Sequence, residues 1–164
     1  MKNILIIASH LSTGGAPQFT LKKIELLLNE YNIICVEYAF LSGDFVVQRN
    51  KIKKLLGSNF ISLPDDKSSI LNLIKYKQYD TIFMEEFPEN FMDDSIAKEI
   101  YKNDRTYKII ETTHSSINHF GEKRWFPDKF SFVSDYSVKM YCNLGVDYEV
   151  IEYPIDKKRK NRQV

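Results

Sequence analysis

The stretch KNILIIASHLSTGGAPQFTLKKIELLL, residues Lys2 to Leu28, decides how the chain is organised. An apolar run from Ile4 to Ala8 ends in a small polar loop that contains Gly14 and Gly15, and a helix-like pattern follows. A buried parallel strand commonly leads into a helix through a loop of this kind. We therefore predict a first strand, a loop and a first helix.

The helical part of this stretch has an apolar and a polar side. Pro17 suits the first helical turn, because its fixed φ matches the helix and its missing N–H would have had no partner there. The spacing predicts an inward stripe formed by Ile24, Leu27 and Leu28. It predicts a water-facing side formed by Lys22, Lys23, Glu25 and Asn29.

The glycine pair Gly14-Gly15 has two interpretations. Glycines permit a sharp turn and let a bulky ligand approach main-chain N–H groups, but they also open many α/β folds for structural reasons alone. No third glycine follows at the offset of the dinucleotide fingerprint, and the P-loop sequence Gly-Lys-Ser/Thr does not occur. The motif by itself leaves a ligand-binding loop and a purely structural turn open.

The rest of the chain continues to alternate between strands and helices. This pattern predicts one α/β domain with a doubly wound, mostly parallel, Rossmann-like sheet and right-handed crossovers. We expect strands at Asn32–Phe40, Asn59–Leu63, Asp80–Glu85, Tyr107–Thr112, Lys129–Val133 and Glu149–Glu152, and helices at Phe45–Leu56, Asp66–Tyr76, Asp93–Lys102 and Asp135–Asn143.

Composition limits the class of protein. The 164 residues suffice for one domain of ordinary size, and 23 basic against 22 acidic residues leave no global field that would attract nucleic acid. Cys35 and Cys142 lie far apart without a CxxC spacing, which predicts buried, reduced thiols in a cytoplasmic protein. No apolar run reaches the roughly 18 residues of a membrane span, and we expect no signal peptide.

Three loops follow the carboxyl ends of predicted strands, where ligands bind in such sheets. They are Ser9 to Ala16, Glu85 to Asn90 and Thr112 to Trp125. The third is the richest in polar groups, because it carries an imidazole and several hydroxyls. The candidate ligand contacts in the three loops are Gly14, Gly15, His10, Glu86, Thr113, His114 and Ser115.

Each candidate also has an alternative role. His114 could hydrogen-bond a sugar hydroxyl, or it could cap the turn that follows. His10 could approach a phosphate or only stabilise its loop. We predict no metal site, because the three histidines lack HxxxH or HExxH spacing, and no hydrolase, because no Gly-x-Ser-x-Gly elbow is present. A nicotinamide enzyme is disfavoured by the missing third glycine and by Glu37, which is followed by more apparent strand.

Several of these motifs resemble one family. The GGA after the first strand, the strand end Thr112-Thr113-His114, and the passage from Phe132-Val133-Ser134 to Pro154-Ile155-Asp156 are similar, in order, to the N-terminal domain of the retaining GT-B glycosyltransferases of the family 4 type. The last motif replaces the more usual Pro-Asn-Gly-Val-Asp, so that match is partial. The matched stretches extend over nearly the whole chain.

The resemblance implies a function. It suggests the acceptor-side half of an enzyme that moves a sugar from a nucleotide-sugar donor to a glycan, lipid-linked or small-molecule acceptor, without any other cofactor. His114 would contact the transferred sugar, Gly14 and Gly15 would lie near the donor phosphate, and His10 and Glu86 would line the acceptor side. Residues 1–156 would form this domain, and residues 157–164 a basic linker to a missing C-terminal Rossmann-like domain, without which the chain would be inactive.

A different class of function stays open beside the enzyme. The chain could be a non-catalytic Rossmann-like module that binds a nucleotide or a partner protein. The basic run from Arg49 to Lys54 could rest on an anionic membrane or simply form a solvated helix face, and Trp125-Phe126-Pro127 could be a lid, an interfacial anchor or a packing cluster.

Overall fold

The computed structural model describes residues 1–39, 47–63, 65–114 and 123–153. Seven strands and five α-helices follow one another along these ranges, with a helix between most consecutive strands. In chain order they are β1 (Lys2–Ala8), α1 (Gly15–Leu27), β2 (Tyr31–Glu37), α2 (Val47–Leu56), β3 (Phe60–Ser62), α3 (Ser69–Tyr76), β4 (Thr81–Glu85), α4 (Asp94–Ile100), β5 (Lys108–Thr113), β6 (Lys129–Phe132), α5 (Asp135–Tyr141) and β7 (Asp147–Val150).

All seven strands form one parallel sheet in the order β3-β2-β1-β4-β5-β6-β7. The chain winds outward from β1 to β3 and then returns to the middle to place β4 on the other side of β1. This arrangement confirms the predicted doubly wound, Rossmann-like α/β fold. Described helices lie on both faces, as a sheet with apolar residues on both sides requires.

The first face of the sheet is covered by α1 and α2. Their side chains, including Leu21, Ile24 and Ile52, pack with the residues of β1 and β2 that alternate onto this side. The second face carries α3 and α4, which pack on Leu5, Ile7 and other buried residues of β1, β4 and β5. Helix α5 packs on Phe130 and Phe132 of β6, on the same second face.

Most element positions agree with the sequence-based prediction, and four details differ. Strand β2 ends at Glu37, earlier than predicted, and β7 begins at Asp147, two residues before the predicted start. Lys23 does not face water but lies under α1 with only 13% of its side chain exposed. Cys35 is buried as expected, whereas Cys142 is exposed, because α5 ends at Tyr141 and the turn that follows lies at the surface.

Helix length bears on membrane association. Within the ranges that the structure covers, no helix combines the length and apolarity needed to cross a bilayer. The predicted linker 157–164, the motif Pro154-Ile155-Asp156 and residue Ser115 lie outside the described residues. The proposed division of the chain at residue 156 therefore stays a prediction.

Candidate functional site

The winding of the sheet reverses between β1 and β4, and the crossovers diverge there. A crevice beyond the carboxyl ends of the strands results at such a point. The loop 9–14 follows β1 on one side of this crevice, and Glu85 and Glu86 mark the end of β4 on the other. One strand further along, His114 follows the end of β5. Three loops selected from the sequence therefore meet at one edge of the sheet.

Helix α1 begins at this edge with a glycine. Gly14 is the residue before the helix and has φ +127°, a region that side-chain-bearing residues rarely adopt. It provides no side chain that could cap the first N–H groups of α1. The positive φ explains why glycine occupies this position. Because glycine has no side chain, the positive end of the helix has no side-chain acceptor from its N-cap residue.

Tyr153 connects Gly15 with His114. A Cβ placed on Gly15 would lie 3.5 Å from Cε1 of Tyr153, which is ordinary van der Waals contact, so Gly15 is not required by sterics. The hydroxyl of Tyr153 lies 2.9 Å from Nδ1 of His114. Phe19 of α1 packs edge-on against both rings, with centroids 5.2 Å from His114 and 5.3 Å from Tyr153. The glycine loop and the distant imidazole are thus brought together.

His114 is held from both sides of its ring. Nε2 lies 3.1 Å from Oε2 of Glu85, and the hydroxyl of Tyr153 is at Nδ1. An ionised Glu85 can only accept, so Nε2 carries a proton and donates it to the carboxylate. In the neutral ring, Nδ1 then accepts from the Tyr153 hydroxyl. This network fixes the ring plane and directs Nδ1 toward the Tyr153 side of the site.

Lys23 completes the charge balance of the site. Its Nζ donates to Glu85 and, at 3.2 Å, to the hydroxyl of Thr112, and it lies 4.5 Å from the centroid of the Phe83 ring. Burial opposes ionisation of Glu85, but the charge of Lys23 and the hydrogen bond from His114 outweigh burial and lower the pKa of Glu85 to about 2. The carboxylate is therefore ionised at neutral pH and its charge is balanced inside the protein.

Glu86 adopts a strained backbone beside this cluster. Its φ is +146°, and its Oε1 accepts a hydrogen bond of 2.9 Å from the N–H of Phe87. Strain of this kind tends to occur at functional sites, where the surroundings hold it in place. Burial, followed by the nearby charges of Glu86 and Glu85, raises the pKa of Tyr153, so its hydroxyl stays protonated as a donor.

The remaining predicted site residues lie elsewhere. His10 lies 2.9 Å from Ser12 Oγ through Nδ1, and burial lowers its pKa, opposed by Glu37 and aided by Arg49. Thr113 alternates with Thr112 and so points to the second face, where its buried hydroxyl has no hydrogen-bond partner in the described structure. His114, Gly15 and Glu86 surround Tyr153, whereas His10 and Thr113 do not join them. The roles assigned to all these residues stay predictions.

Glu37, at the end of β2, is fully occupied by donors of the chain itself. Arg49 donates to both of its carboxylate oxygens at 2.7 Å, and Ser62 Oγ donates to Oε2 at 2.8 Å. The backbone N–H of Leu11 donates to Oε1 at 2.7 Å. The carboxylate therefore ties the glycine loop to β3 and α2, with no exposed surface of its own.

A second ionic cluster is buried on the other face of the sheet. Lys123 Nζ lies 3.0 Å from an oxygen of Glu89 and 3.0 Å from one of Glu111, and the hydroxyl of Tyr101 donates to Glu111 at 2.7 Å. Glu89 also accepts from the backbone N–H groups of residues 124 and 125, at 2.8 and 2.9 Å. Burial, opposed by Lys123 and Tyr101 and aided by Glu89, raises the pKa of Glu111 to about 8.

Sequence reasoning missed Tyr153 and Lys23. Tyr153 follows the end of β7, so the rule that selected the other three loops would also have selected this position. Lys23 lies four residues after Phe19 on one side of α1, and both face the sheet. The spacing is visible in the sequence, but its partner Glu85 could not be named before the strand order was known. In the described part of the chain, no group of three His, Cys, Asp or Glu side chains could hold a metal ion.

Comparison with known proteins gives solved structures of similar fold. No family profile and no curated protein sequence matches the chain. It resembles dTDP-glucose 4,6-dehydratase from Bacillus anthracis str. Ames in complex with NAD, with TM-score 0.49 and 15% identity over 92% of this chain and 53% of that one. It also resembles UDP-glucuronic acid 4-epimerase from Bacillus cereus in complex with NAD, with TM-score 0.45 and 14% identity over 92% and 55%.

These findings correct two expectations. The predicted retaining glycosyltransferase is contradicted, because the similar solved structures are a dehydratase and an epimerase. The expectation that no cofactor is used is contradicted as well, since both were solved with NAD. The chain spans about half the length of these proteins, and the similarity extends to a Rossmann-like fold.

The residues at the crevice could make only some of the contacts through which a Rossmann-like fold usually binds NAD. The uncapped start of α1 is suited to a diphosphate. The acidic residue that ends β2 ordinarily receives the adenosine ribose, but Glu37 is saturated by Arg49, Ser62 and Leu11. A dinucleotide in the usual position would find no free carboxylate there.

Proposed function

We propose that the chain is a Rossmann-like nucleotide-binding module that holds a diphosphate at the carboxyl edge between β1 and β4. The observation that supports this most directly is the start of α1 at the switch point. Gly14 leaves the first helical turn without a side-chain cap, so its N–H groups can donate to an anion and the helix dipole favours negative charge.

The groups beside α1 suit the sugar that a nucleotide carries. Tyr153 offers a hydroxyl, which donates to Nδ1 of His114 and can accept from the sugar, and Glu86 offers a half-buried carboxylate. Hydroxyls of a sugar both donate and accept, so such a mixed set can orient them. Glu85 does not repel the anion strongly, because Lys23 balances its charge beneath the site.

The occupied state of Glu37 narrows the ligand class. With no free acid at the end of β2, binding depends on the diphosphate and on the β4 and β5 side of the crevice. Either ligand would place a nucleoside against Glu37, so the two differ on the β4 and β5 side, where one carries a sugar with several free hydroxyls and the other carries nicotinamide riboside. We therefore expect nucleoside diphosphate sugars to bind more tightly than NAD.

Calorimetric titration of the full chain tests this proposal. The probes are UDP-glucose, dTDP-glucose and NAD, with UMP as a control that lacks the diphosphate. We expect saturable binding of the diphosphate sugars, weaker binding of NAD, and the weakest binding of UMP. Backbone amide shifts should move at residues 14–16, near the start of α1.

A matched pair of histidine variants locates the sugar. His114→Ala should weaken binding of UDP-glucose more than binding of UDP, because it removes the imidazole that positions the Tyr153 hydroxyl for the sugar. His10→Ala should change neither strongly, because that ring lies with Ser12 near the Glu37 network. The proposal is overturned if no probe saturates at millimolar concentration, or if the shifts appear at the amino edge of the sheet, around Asp80 and Asp128.

A further inference from the structure

Glu85, His114 and Tyr153 form a continuous chain of hydrogen bonds that ends at the protein surface. Nε2 of His114 lies 3.1 Å from Oε2 of Glu85, and Nδ1 lies 2.9 Å from the Tyr153 hydroxyl. The side chain of Glu85 is 1% exposed and that of His114 is 4% exposed, whereas Tyr153 is 36% exposed. A carboxylate, an imidazole and a hydroxyl in this order form an arrangement that activates the hydroxyl as a nucleophile.

The inner end of the chain fixes the tautomer of His114. Lys23 donates to Oε1 of Glu85, which leaves Oε2 for His114. Because the carboxylate is ionised, it can only accept, so the ring proton stays at Nε2 and the lone pair of Nδ1 faces the Tyr153 hydroxyl. The base is therefore oriented toward Tyr153 before any ligand arrives.

Phe19 of α1 limits the movement of both rings. Its ring packs edge-on against His114 and Tyr153, with centroids 5.2 and 5.3 Å away. The hydroxyl and Nδ1 are thus held within the hydrogen-bond distance that proton transfer requires.

The charges around the chain decide when a proton moves. Burial and then the charges of Glu86 and Glu85 raise the pKa of Tyr153, so its hydroxyl needs a base in order to react. Lys23 opposes a positive charge on His114, but two carboxylates face this one lysine. A proton on the imidazole would therefore balance the charge of these side chains.

The oxygen of Tyr153 lies beside the first turn of α1. It is 3.7 Å from the position that a Cβ on Gly15 would occupy. The first N–H groups of a helix have no partner within the helix, so they can donate to an oxyanion that forms at this place. Glu85 and Glu86 disfavour a reactant that is already anionic, whereas a neutral ester becomes negative only as it reacts.

From these observations we propose that Tyr153 is a nucleophile that accepts the acyl group of a neutral ester, with His114 as its base and Glu85 as the residue that positions the base. A bond forms between Oη of Tyr153 and the carbonyl carbon, and the bond from that carbon to the ester oxygen breaks. The hydroxyl proton passes to Nδ1 of His114 and from there to the departing oxygen. The inference goes beyond nucleotide binding and does not depend on it, since no nucleotide takes part in the reaction.

Acetylation of the full chain by p-nitrophenyl acetate tests the proposal. Peptide mass spectrometry compares the rate at Tyr153 with the rates at Tyr76 and Tyr136, which are 80% and 55% exposed. Exposure alone would make Tyr153 the slowest of the three, whereas attack assisted by His114 should make it the fastest, by about a hundredfold. Hydroxylamine should remove the acetyl group, because it cleaves an aryl ester but not an amide formed at a lysine.

The dependence on pH separates a base-assisted hydroxyl from an accessible one. The rate at Tyr76 should rise about tenfold per pH unit, because only the ionised hydroxyl reacts there. The rate at Tyr153 should level off once His114 is neutral, since the neutral ring is the active base. His114→Ala and Glu85→Gln should both abolish this plateau, the second because an amide can donate to Nε2 and so shift the ring proton to Nδ1. His10→Ala is the matched control and should leave both rates unchanged.

Tyr153→Phe removes only the attacking oxygen and should abolish the fast release of p-nitrophenolate. Three results would overturn the proposal: a slower rate at Tyr153 than at Tyr76, a rate at Tyr153 without a plateau in pH, or fast release that persists in Tyr153→Phe. Acetylation that is fast but is not slowed by UDP-glucose would support the nucleophile and contradict the diphosphate site at α1. The two proposals can therefore fail separately.

Discussion

Glu85 and Glu111 lie near the carboxyl ends of neighbouring strands, point to opposite faces of one sheet, and are both almost completely buried. Burial alone would raise both pKa values. Glu85 has a lysine of its own and a hydrogen bond from His114, and its pKa is lowered to about 2. Glu111 shares Lys123 with Glu89, and its pKa is raised to about 8. Burial decides the direction at Glu111, where Lys123 and Tyr101 do not offset it, whereas Lys23 and His114 outweigh burial at Glu85.

The two clusters also differ in what they connect. The Glu85 cluster joins α1, β4 and β5 at the candidate site, and it leaves His114 and Tyr153 at the crevice. The Glu111 cluster joins β5 and the segment 88–90 after β4 to residues 123–125, on the second face of the sheet. We therefore expect the first to affect ligand binding and the second to affect mainly stability.

Removal of the shared lysine should have the largest effect. Lys123→Met leaves two buried carboxyl groups without a cation, and we expect a loss of about 5 kcal/mol in the free energy of unfolding, the upper end for a broken buried pair. Urea denaturation measures this loss. Lys102→Met is the control, because that lysine pairs with Glu99 at the surface and its loss should hardly change the free energy of unfolding. Equal losses in the two variants would contradict the shared-cation interpretation.

The rise in the pKa of Glu111 predicts a loss of stability as pH increases. The folded state holds this proton up to about pH 8, whereas the unfolded chain releases it near 4.5, so the stabilisation is complete below 4.5 and disappears as pH rises to 8. From the size of the shift we expect a loss of about 5 kcal/mol at most over that window. Glu111→Gln should flatten this part of the profile, and Glu25→Gln at the surface should not.

Glu85 predicts the opposite slope on the acid side. Its folded pKa is about 2 and its ordinary value 4.5, so its stabilisation is present above pH 4.5 and is lost as pH falls to 2. The expected loss is about 3 kcal/mol. Chemical denaturation between pH 5 and pH 2, in roughly half-unit steps, should show this loss in the natural chain and little of it in Glu85→Gln. If the loss of stability at low pH is the same in Glu85→Gln as in the natural chain, other carboxyl groups cause it.

The smallest effect is expected from the outer hydrogen bond of the Glu85 cluster. Tyr153→Phe removes one hydroxyl at Nδ1 of His114 and should cost about 1 kcal/mol or less. Because the charge of Glu85 is balanced by Lys23 and not by Tyr153, this variant should still lose stability as the pH falls, as the natural chain does. Nitrogen chemical shifts of the His114 ring should change in this variant, and those of His10 should not. Tyr76→Phe is a matched control at an exposed ring.

The sequence was sufficient for the fold and for parts of the site. Strand and helix alternation predicted the doubly wound sheet, because buried parallel strands and amphipathic helices have different periods. The convergence of Gly15 and His114 followed from the rule that carboxyl ends share an edge. Lys23 was predicted to face water, because periodicity indicates which face of a helix is apolar but not which strand lies beneath the helix. Its place over Phe83 and Glu85 depends on β4 lying next to β1, which only the fold reveals.

The function was harder to predict for a physical reason. Glycine loops and strand-end histidines are compatible with many chemistries on one scaffold, and fold does not determine function. The glycosyltransferase assignment relied on the order of such motifs and was contradicted by the comparison with solved structures. The saturation of Glu37 by Arg49 and Ser62 could not be seen from the sequence either, since Arg49 was interpreted as part of a solvated basic run.

The two cysteines have unequal access to reagents. Burial raises the pKa of the Cys35 thiol, and that residue lies inside the sheet. Cys142 is exposed just after α5, on the second face. A maleimide dye should therefore attach to the native chain at Cys142 in preference to Cys35. The natural sequence thus provides an attachment point for a fluorescent label at the amino edge of the sheet, away from the candidate site, without an engineered cysteine.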